Sequence, residues 1–572
     1  NGSASIAIGS KALQDQAPSG TGNVYNIAIG HFAGKEITTS TQNTIMGGLA
    51  GDALTTGSNN VAIGYASLSA EDGHGRNVAI GKGTLQQQNA GADAYNVAVG
   101  YNAGTLVTTG NQNSILGGLA GDALTTGSNN VALGFGTLSA EDTGGRNVAV
   151  GAGALQLQNY DGNGYNVAVG YSSGNVITTG IRNTLMGGFA GVALNTGERN
   201  VAIGYEALLT EDAHGSNVAI GAGALKVQNA GTDAYNVAVG DGSGQNMTTG
   251  AFNAIIGGNA GDALTTGAGN VAIGYNSLTD ETTGSVNVSI GKNAMSSSQL
   301  SSHNIAIGEN TLVNVTNGSL KNVYNIAIGS EAGNDITIGE RNTLIGAFSG
   351  DVITEGLYNS CLGYGTLSSN IDSDKNTAIG SFALNVMTGT AGDTYNTAVG
   401  YEAGVDVTTG VKNTLIGGLV GNALTTGDNN IIIGFNATAS AVGVDNEITL
   451  GDANISAFRC ADQSIAALSD GRDKANVKDS SFGLDFIDSV RPVEFEWDFR
   501  PEHMSEVKQG KKRVGFIAQE LQEAMPDGEN EILDLVYEIS ENRIEAKYGN
   551  LIPILVKAVQ ELSAKVKELE NK

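Results

Sequence analysis

The chain has 572 residues, too many for one compact core, and a formal charge of −28 with no basic stripe, so neither DNA nor RNA is an expected partner. Gly contributes 84 residues and Pro only 5, a balance unlike low-complexity disorder. Cys361 and Cys460 are the only cysteines and make neither a disulfide framework nor a zinc spacing, and no apolar run reaches transmembrane length, so membrane insertion is not expected.

The sequence opens on Asn1 with no signal peptide ahead of it, and is expected to be a fragment or a processed product. From there one pentapeptide organises the chain. Asn60-Val-Ala-Ile-Gly64 returns at Asn77, Asn200 and Asn270 and as Asn96-Val-Ala-Val-Gly100, with looser copies such as Asn43-Thr-Ile-Met-Gly47 and Asn446-Glu-Ile-Thr-Leu-Gly451. About 26 copies lie between Ser5 and Gly451, which marks a repeat architecture. Asn26, Asn43, Asn60, Asn77 and Asn96 are 17, 17, 17 and 19 residues apart, a superrepeat of 70. An extra copy at Asn304 stretches the interval from Asn236 to Asn325 to 89.

In Val61-Ala62-Ile63 the Val and Ile point to one face and the Ala to the other. The β-branched pair favours a strand. Asn60 and Gly64 bracket it, and both residue types tolerate left-handed angles that turn the chain. A second apolar step follows (Ala66 and Leu68, Ala53 and Leu54, or Val107), then a polar turn such as residues 55–59. Strand, turn, strand, turn in 17 residues predicts one rung of a parallel β-solenoid. A coil so thin cannot bury both faces, so the small alanines are expected on its outer side, against a neighbouring subunit.

Aromatic residues repeat in two positions: Tyr65, Phe135, Tyr205, Tyr275, Tyr364 and Phe435 after the motif Gly, and Tyr25, Tyr95, Tyr165, Tyr235, Tyr324 and Tyr395 before the motif Asn. They serve either as flat faces for glycan rings or as corner packing between coils or subunits. Acidic pairs recur at Glu71-Asp72, Glu141-Asp142, Glu211-Asp212 and Asp280-Glu281. Paired carboxylates can hold Ca²⁺ or hydrolyse glycosides. In polar turns beside Gly they read as solvated surface charge, and their multiplication argues against an active site. His31, His74, His214 and His303 show no metal-ligand spacing, so neither a metal nor a cofactor is expected. Cys361 takes an apolar position in a motif copy and reads as buried packing.

These motifs resemble the head of trimeric autotransporter adhesins, the YadA-like left-handed β-roll. That resemblance implies three intertwined chains over residues 1–452. The sequence departs from that family at its C-terminal end, so an outer-membrane barrel anchor is not expected.

Residues 453–468 read as a linker, after which charge density rises and the single Trp appears. Val493-Glu-Phe-Glu-Trp497 alternates like a strand, and residues 515–525 have helical spacing stopped by Pro526. Residues 535–539 and 543–548 read as two strands around a polar turn. The last element starts at Asn550, a possible cap, with Pro553 in the first turn. Ile552, Leu555, Val559, Leu562, Val566 and Leu569 then alternate by 3 and 4, a coiled-coil seam.

Three stretches here, Ser469-Asp-Gly-Arg-Asp-Lys474, Gly515-Phe-Ile-Ala-Gln-Glu520 and Tyr548-Gly-Asn-Leu-Ile-Pro553, resemble the peptidase S74 intramolecular chaperone domain of phage tail spikes and fibres. The resemblance implies a domain that trimerises the fibre and then cuts itself free at Ser469–Asp470. Ser469 would be the nucleophile and Lys474 its basic partner, with Asp470 and Arg472 in support. Asp473, where that family often has an apolar residue, would hold Lys474 protonated and slow the cut.

The resulting expectation is a mainly β protein. A trimeric parallel β-roll or β-solenoid of 17–19-residue coils fills residues 1–452, a small α+β chaperone domain residues 469–549, and a trimeric coiled-coil helix residues 550–572. The expected function is a homotrimeric phage tail-fibre rod, located in the virion tail. Its expected partners are a host cell-surface receptor, glycan or outer-membrane component, and other virion tail proteins. A bacterial surface adhesin at the cell surface is the alternative, and a glycan-degrading tailspike the third reading. In the first two readings no activity on an external substrate is expected, and autoproteolysis by Ser469 and Lys474 is the activity the resemblance implies.

Overall fold

The computed structural model describes residues 4–17, 22–389, 391–455, 457–461, 469–498, 509–526, 528–540 and 543–572. Half of the predicted linker, residues 456 and 462–468, lies outside them. The chain divides into two units, residues 1–376 with 390–393, and residues 377–389 with 394–572.

The first unit is a stack of single-strand coils. Each motif copy forms a three-residue strand, as in Thr44–Met46, Val61–Ile63 and Val78–Ile80. Successive strands pair parallel and in register, Ile45 on Ala62 and Ala62 on Ala79. The predicted second strand of each coil is absent among the described residues. That side is a run of turns carrying left-handed residues such as Ala66 and Leu68. Its amides still bond from coil to coil: Gly51 N donates to Ser67 O at 2.9 Å and Leu68 N to Thr84 O at 3.0 Å.

The predicted direction of the strand faces is reversed. Ala62, Ala79 and Ala98 are wholly buried inside the coil, while Val61 and Ile63 on either side remain partly exposed. The reason is space. A coil closed in 17 residues has a narrow interior, already occupied by Leu54, Leu68 and Leu85 from the turn side. Where the central residue is Ile45, glycines 34 and 51 stand opposite and leave room for its Cδ1.

The motif Asn has a different task from the one expected. The left-handed residue is the one before it, Gln42, Asn59, Arg76 or Tyr95. The Asn itself is buried and builds a ladder. Asn60 N donates to Asn43 Oδ1 at 2.9 Å, and Asn77 N to Asn60 Oδ1 at 3.0 Å. The side-chain amide then crosses its own coil, Asn60 Nδ2 donating to His74 O at 3.2 Å. Thus the carboxamides satisfy backbone groups that the narrow interior hides from water, although Nδ2 of Asn77, Asn147 and Asn217 makes no such bond among the described residues. Gly64 has φ +133°, and a Cβ there would overlap the carbonyl O of Gly81 in the next coil. Only glycine meets both demands.

The expected extra coil is present as Ile305–Ile307. Beside it Gln299–Ser302 and Thr316–Asn322 pair parallel, an added two-stranded side sheet. In the second unit the array continues through Thr377–Ile379, Thr397–Val399, Thr414–Ile416, Ile431–Ile433 and Ile448–Leu450. In the last copy the ladder position belongs to Glu447, not to Asn446, which is the left-handed residue. Glu447 N donates to Asn430 Oδ1 at 2.9 Å, and its carboxylate accepts from Ser440 N at 3.0 Å and Thr449 Oγ1 at 2.7 Å.

The C-terminal region of this unit contains α1 (Leu484–Ser489), α2 (Ala518–Ala524), α3 (Asn530–Leu533) and α4 (Leu551–Glu570). Val493–Glu496 pairs antiparallel with Lys512–Gly515, and Val536–Ser540 with Arg543–Ala546. The predicted helix over 515–525 therefore begins only at Ala518, because Gly515 closes a strand. Phe486, Met525, Leu533, Leu535, Leu551 and Ile554 form the core. Asn550 makes no side-chain cap; its Nδ2 donates to Asp534 O at 2.6 Å and anchors the start of α4. Leu551, Ile554 and Ala558 face the core, whereas the predicted seam from Ile552 to Leu569 lies exposed, with Val559 at 64 %. Among the described residues no helix is long and apolar enough to cross a membrane.

Candidate functional site

Asp470 shapes the predicted cleavage site. It caps the 3₁₀ turn Gly471–Asp473, its Oδ1 accepting from Arg472 N at 2.9 Å. The Arg472 guanidinium closes back on the same carboxylate, Nε at 3.0 Å, and holds the Asp470 carboxyl below the usual range. The turn brings residue 474 back over residue 469, so Lys474 Nζ donates to Ser469 Oγ at 2.6 Å. Ser469, Lys474, Asp470 and Arg472 therefore stand together, all exposed. Among the described residues no ion pair joins Asp473 to Lys474. A hydroxyl paired with an amine is the arrangement that nucleophilic Ser–Lys chemistry needs.

The motifs flanking this turn are tied into the fold. A Cβ on Gly515 would stand 2.8 Å from Tyr548 Oη. The same hydroxyl accepts from Phe516 N at 3.2 Å. Glu520 pairs with Arg491, which steadies the Arg491 guanidinium and holds the Glu520 carboxyl below its ordinary range. Glu561 of α4 accepts from Leu484 N at 2.8 Å, at the start of α1.

In the array, the glutamates of the acidic turns overturn the expectation of solvated charge, while Asp72, Asp212 and Asp280 are exposed as expected. Glu71, Glu141, Glu211 and Glu281 are all buried. Each reaches inward to a backbone amide three residues on: His74 N at 3.0 Å, Gly144 N at 2.7 Å, His214 N at 3.2 Å and Gly284 N at 2.7 Å. Burial raises the carboxyls of Glu71 and Glu211 and pushes that of Glu141 up to about 7. Glu281 is held by further amides, Leu300 N and Ser301 N, both at 3.0 Å. The turns also bring His74 within reach of Glu71 and Asp72, and His214 within reach of Glu211 and Asp212. The spacing of each histidine, three residues after the superrepeat Glu, was legible in the sequence; the burial of that Glu was not.

The aromatic columns remain about half exposed, Tyr65 and Tyr275 each at 55 %. Some members touch across coils, Phe189 on Tyr205 at 6.1 Å and Arg76 over Tyr95 at 5.4 Å. Cys361 is buried, as expected, and burial pushes its thiol up to about 12. No curated protein matches the chain. Residues 469–528, which hold the Ser469–Lys474 pair and the Gly515–Glu520 motif, match the family model of the chaperone of endosialidase, Peptidase_S74, and this stretch of the chain is a domain of that family.

Proposed function

We propose that the chain is a subunit of a homotrimeric phage tail fibre that attaches to a host cell surface. In this reading the C-terminal domain assembles three copies and then cuts at Ser469–Asp470. The observation that carries it is the endosialidase-chaperone match at residues 469–528, on a chain whose strands leave apolar columns uncovered. The outward Val and Ile of many rungs and the α4 seam supply apolar surface for two neighbouring copies.

A clamp at one end solves a physical problem. Coils this similar would still pair after slipping by 17 or 70 residues. Trimerisation at α4 sets the register before the rungs zip, and the 89-residue interval rejects slipped alignments. Lysine acts as a base only once its ammonium is desolvated. Ser469 and Lys474 are exposed in the single chain, so cover from neighbouring copies would switch the cut on after assembly.

Native mass spectrometry of the full chain tests this. The expected species is a trimer with a released fragment that starts at Asp470. Ser469→Ala should give an uncut trimer. A monodisperse single-chain particle would remove the reading, and cleavage that persists in Ser469→Ala would remove Ser469 from its role. A bacterial surface adhesin is the second reading, favoured by the likeness of the rungs to adhesin heads. A segment that attaches to a virion, found upstream in the intact protein, would exclude it. The tailspike reading is the weakest, because the repeated Glu carboxylates are bound to backbone amides inside their turns.

A further inference from the structure

Two of the four buried-glutamate turns differ chemically from the other two. Glu71 and Glu211 are followed three residues on by His74 and His214; Glu141 and Glu281 are followed by Gly144 and Gly284. In the glycine turns the carboxylate is satisfied by backbone. Glu141 accepts from Gly144 N at 2.7 Å and Tyr160 N at 3.5 Å. Glu281 accepts from Gly284, Leu300 and Ser301 amides.

In the histidine turns both partners keep a polar atom that is free to ligate a cation. Glu71 and Glu211 are 0 % exposed; the Ala90 and Ala230 backbone amides, which take the place of Tyr160, approach these carboxylates, but Oε2 of each makes no hydrogen bond of ordinary geometry among the described residues. The buried Nδ1 atoms of His74 and His214 have none either. Each Nδ1 lies 3.7 Å (His74) or 3.5 Å (His214) from Oε1 of its glutamate. That is long for a hydrogen bond but close to the separation of two donors on one tetrahedral cation, about 3.5 Å. Asp72 and Asp212 approach from the solvent side, and in each turn all three ligand atoms fall within 4.8 Å of one another. Both carboxylates stand on rotatable bonds, the exposed aspartate with room to close the remaining gap.

We propose that Glu71, Asp72 and His74, and likewise Glu211, Asp212 and His214, each bind one divalent transition-metal cation of the zinc class. One imidazole nitrogen and two carboxylate oxygens suit zinc or cobalt; calcium and magnesium prefer an all-oxygen set. The cation gives the stranded buried oxygen and nitrogen a common partner, and ties the solvent-side turn to the interior of its coil.

The test is titration of the untagged, chelator-treated full chain with zinc chloride, followed by native mass spectrometry and calorimetry. Two zinc ions per chain are expected, one for each histidine turn. His74→Gly and His214→Gly copy the natural Gly144 turn and so should preserve the coil, which circular dichroism checks. Each single variant should lose one ion and the double variant both, while Cys460→Ser keeps both. With cobalt chloride, the visible band of a four-coordinate centre should appear and vanish with the same variants. Zinc uptake unchanged in the double variant, or no uptake by the wild-type chain, would overturn the proposal. So would a bound ion that Glu71→Gln and Glu211→Gln leave in place.

Discussion

In the repeat array each coil touches its neighbours, whereas in the C-terminal domain residues far apart in sequence meet at one core. Asn60 is bonded to the coils on either side of it, 17 residues away in each direction. Leu484 is bonded to Glu561, 77 residues away. The array is nearly one-dimensional, so its stability is a sum of similar local interfaces. Its interior is alanine, leucine and carboxamide, narrow and dependent on backbone hydrogen bonds. The C-terminal domain depends instead on a few large apolar side chains, Phe486 and Leu535 among them. Damage in the array should therefore stay local, and damage in the C-terminal core should spread through the domain.

The strongest way to break that contrast is Gly64→Ala. The added Cβ meets the Gly81 carbonyl on a backbone at φ +133°, a loss of about 3 kcal/mol or more. Hydrogen exchange should show protection lost in the coils around residue 64, with the C-terminal domain unchanged. Loss along the whole first unit would show that the coils are coupled over long range. Leu535→Ala is the complementary test, in a wholly buried position. It should cost about 3 kcal/mol and lower the protection of α1, α2 and α4 together, leaving the array intact.

A smaller effect comes from pH. Glu141 is raised to about 7 by burial, against an ordinary 4.5. Between these values the unfolded chain gives up its proton while the folded chain keeps it. Stability of the array should therefore fall as pH rises through this window, and level off above it. Glu71 and Glu211, also raised by burial, add to the same slope. Glu141→Gln should make the slope shallower in urea unfolding followed from pH 4 to 8; an unchanged slope would count against a raised Glu141 carboxyl. Smallest is a labelling difference: alkylation under native conditions should modify exposed Cys460 and spare buried Cys361, whose thiol is pushed up to about 12.

Much of the C-terminal domain was legible because its strands and its long helix follow familiar periods. The short helices α1 and α3 were not, since neither spans enough residues to show a period. The Ser469–Lys474 pair was legible only through family resemblance; spacing alone does not say that a 3₁₀ turn folds the lysine back onto the serine.

The spacing of Asn and Gly by itself determined the number of coils, their parallel register and the extra coil at Asn304, because a strict period leaves one way to stack. The tertiary structure alone decided which side of each strand faces in. Val-Ala-Ile alternates identically whichever face is buried, and only closure of the coil, with leucines already filling its narrow interior, turns the alanine inward. It also decided the state of the acidic turns. A glutamate beside glycine looks solvated in a linear sequence, and becomes buried only when the turn folds its carboxylate onto amides three residues on and, in two coils, beside a histidine.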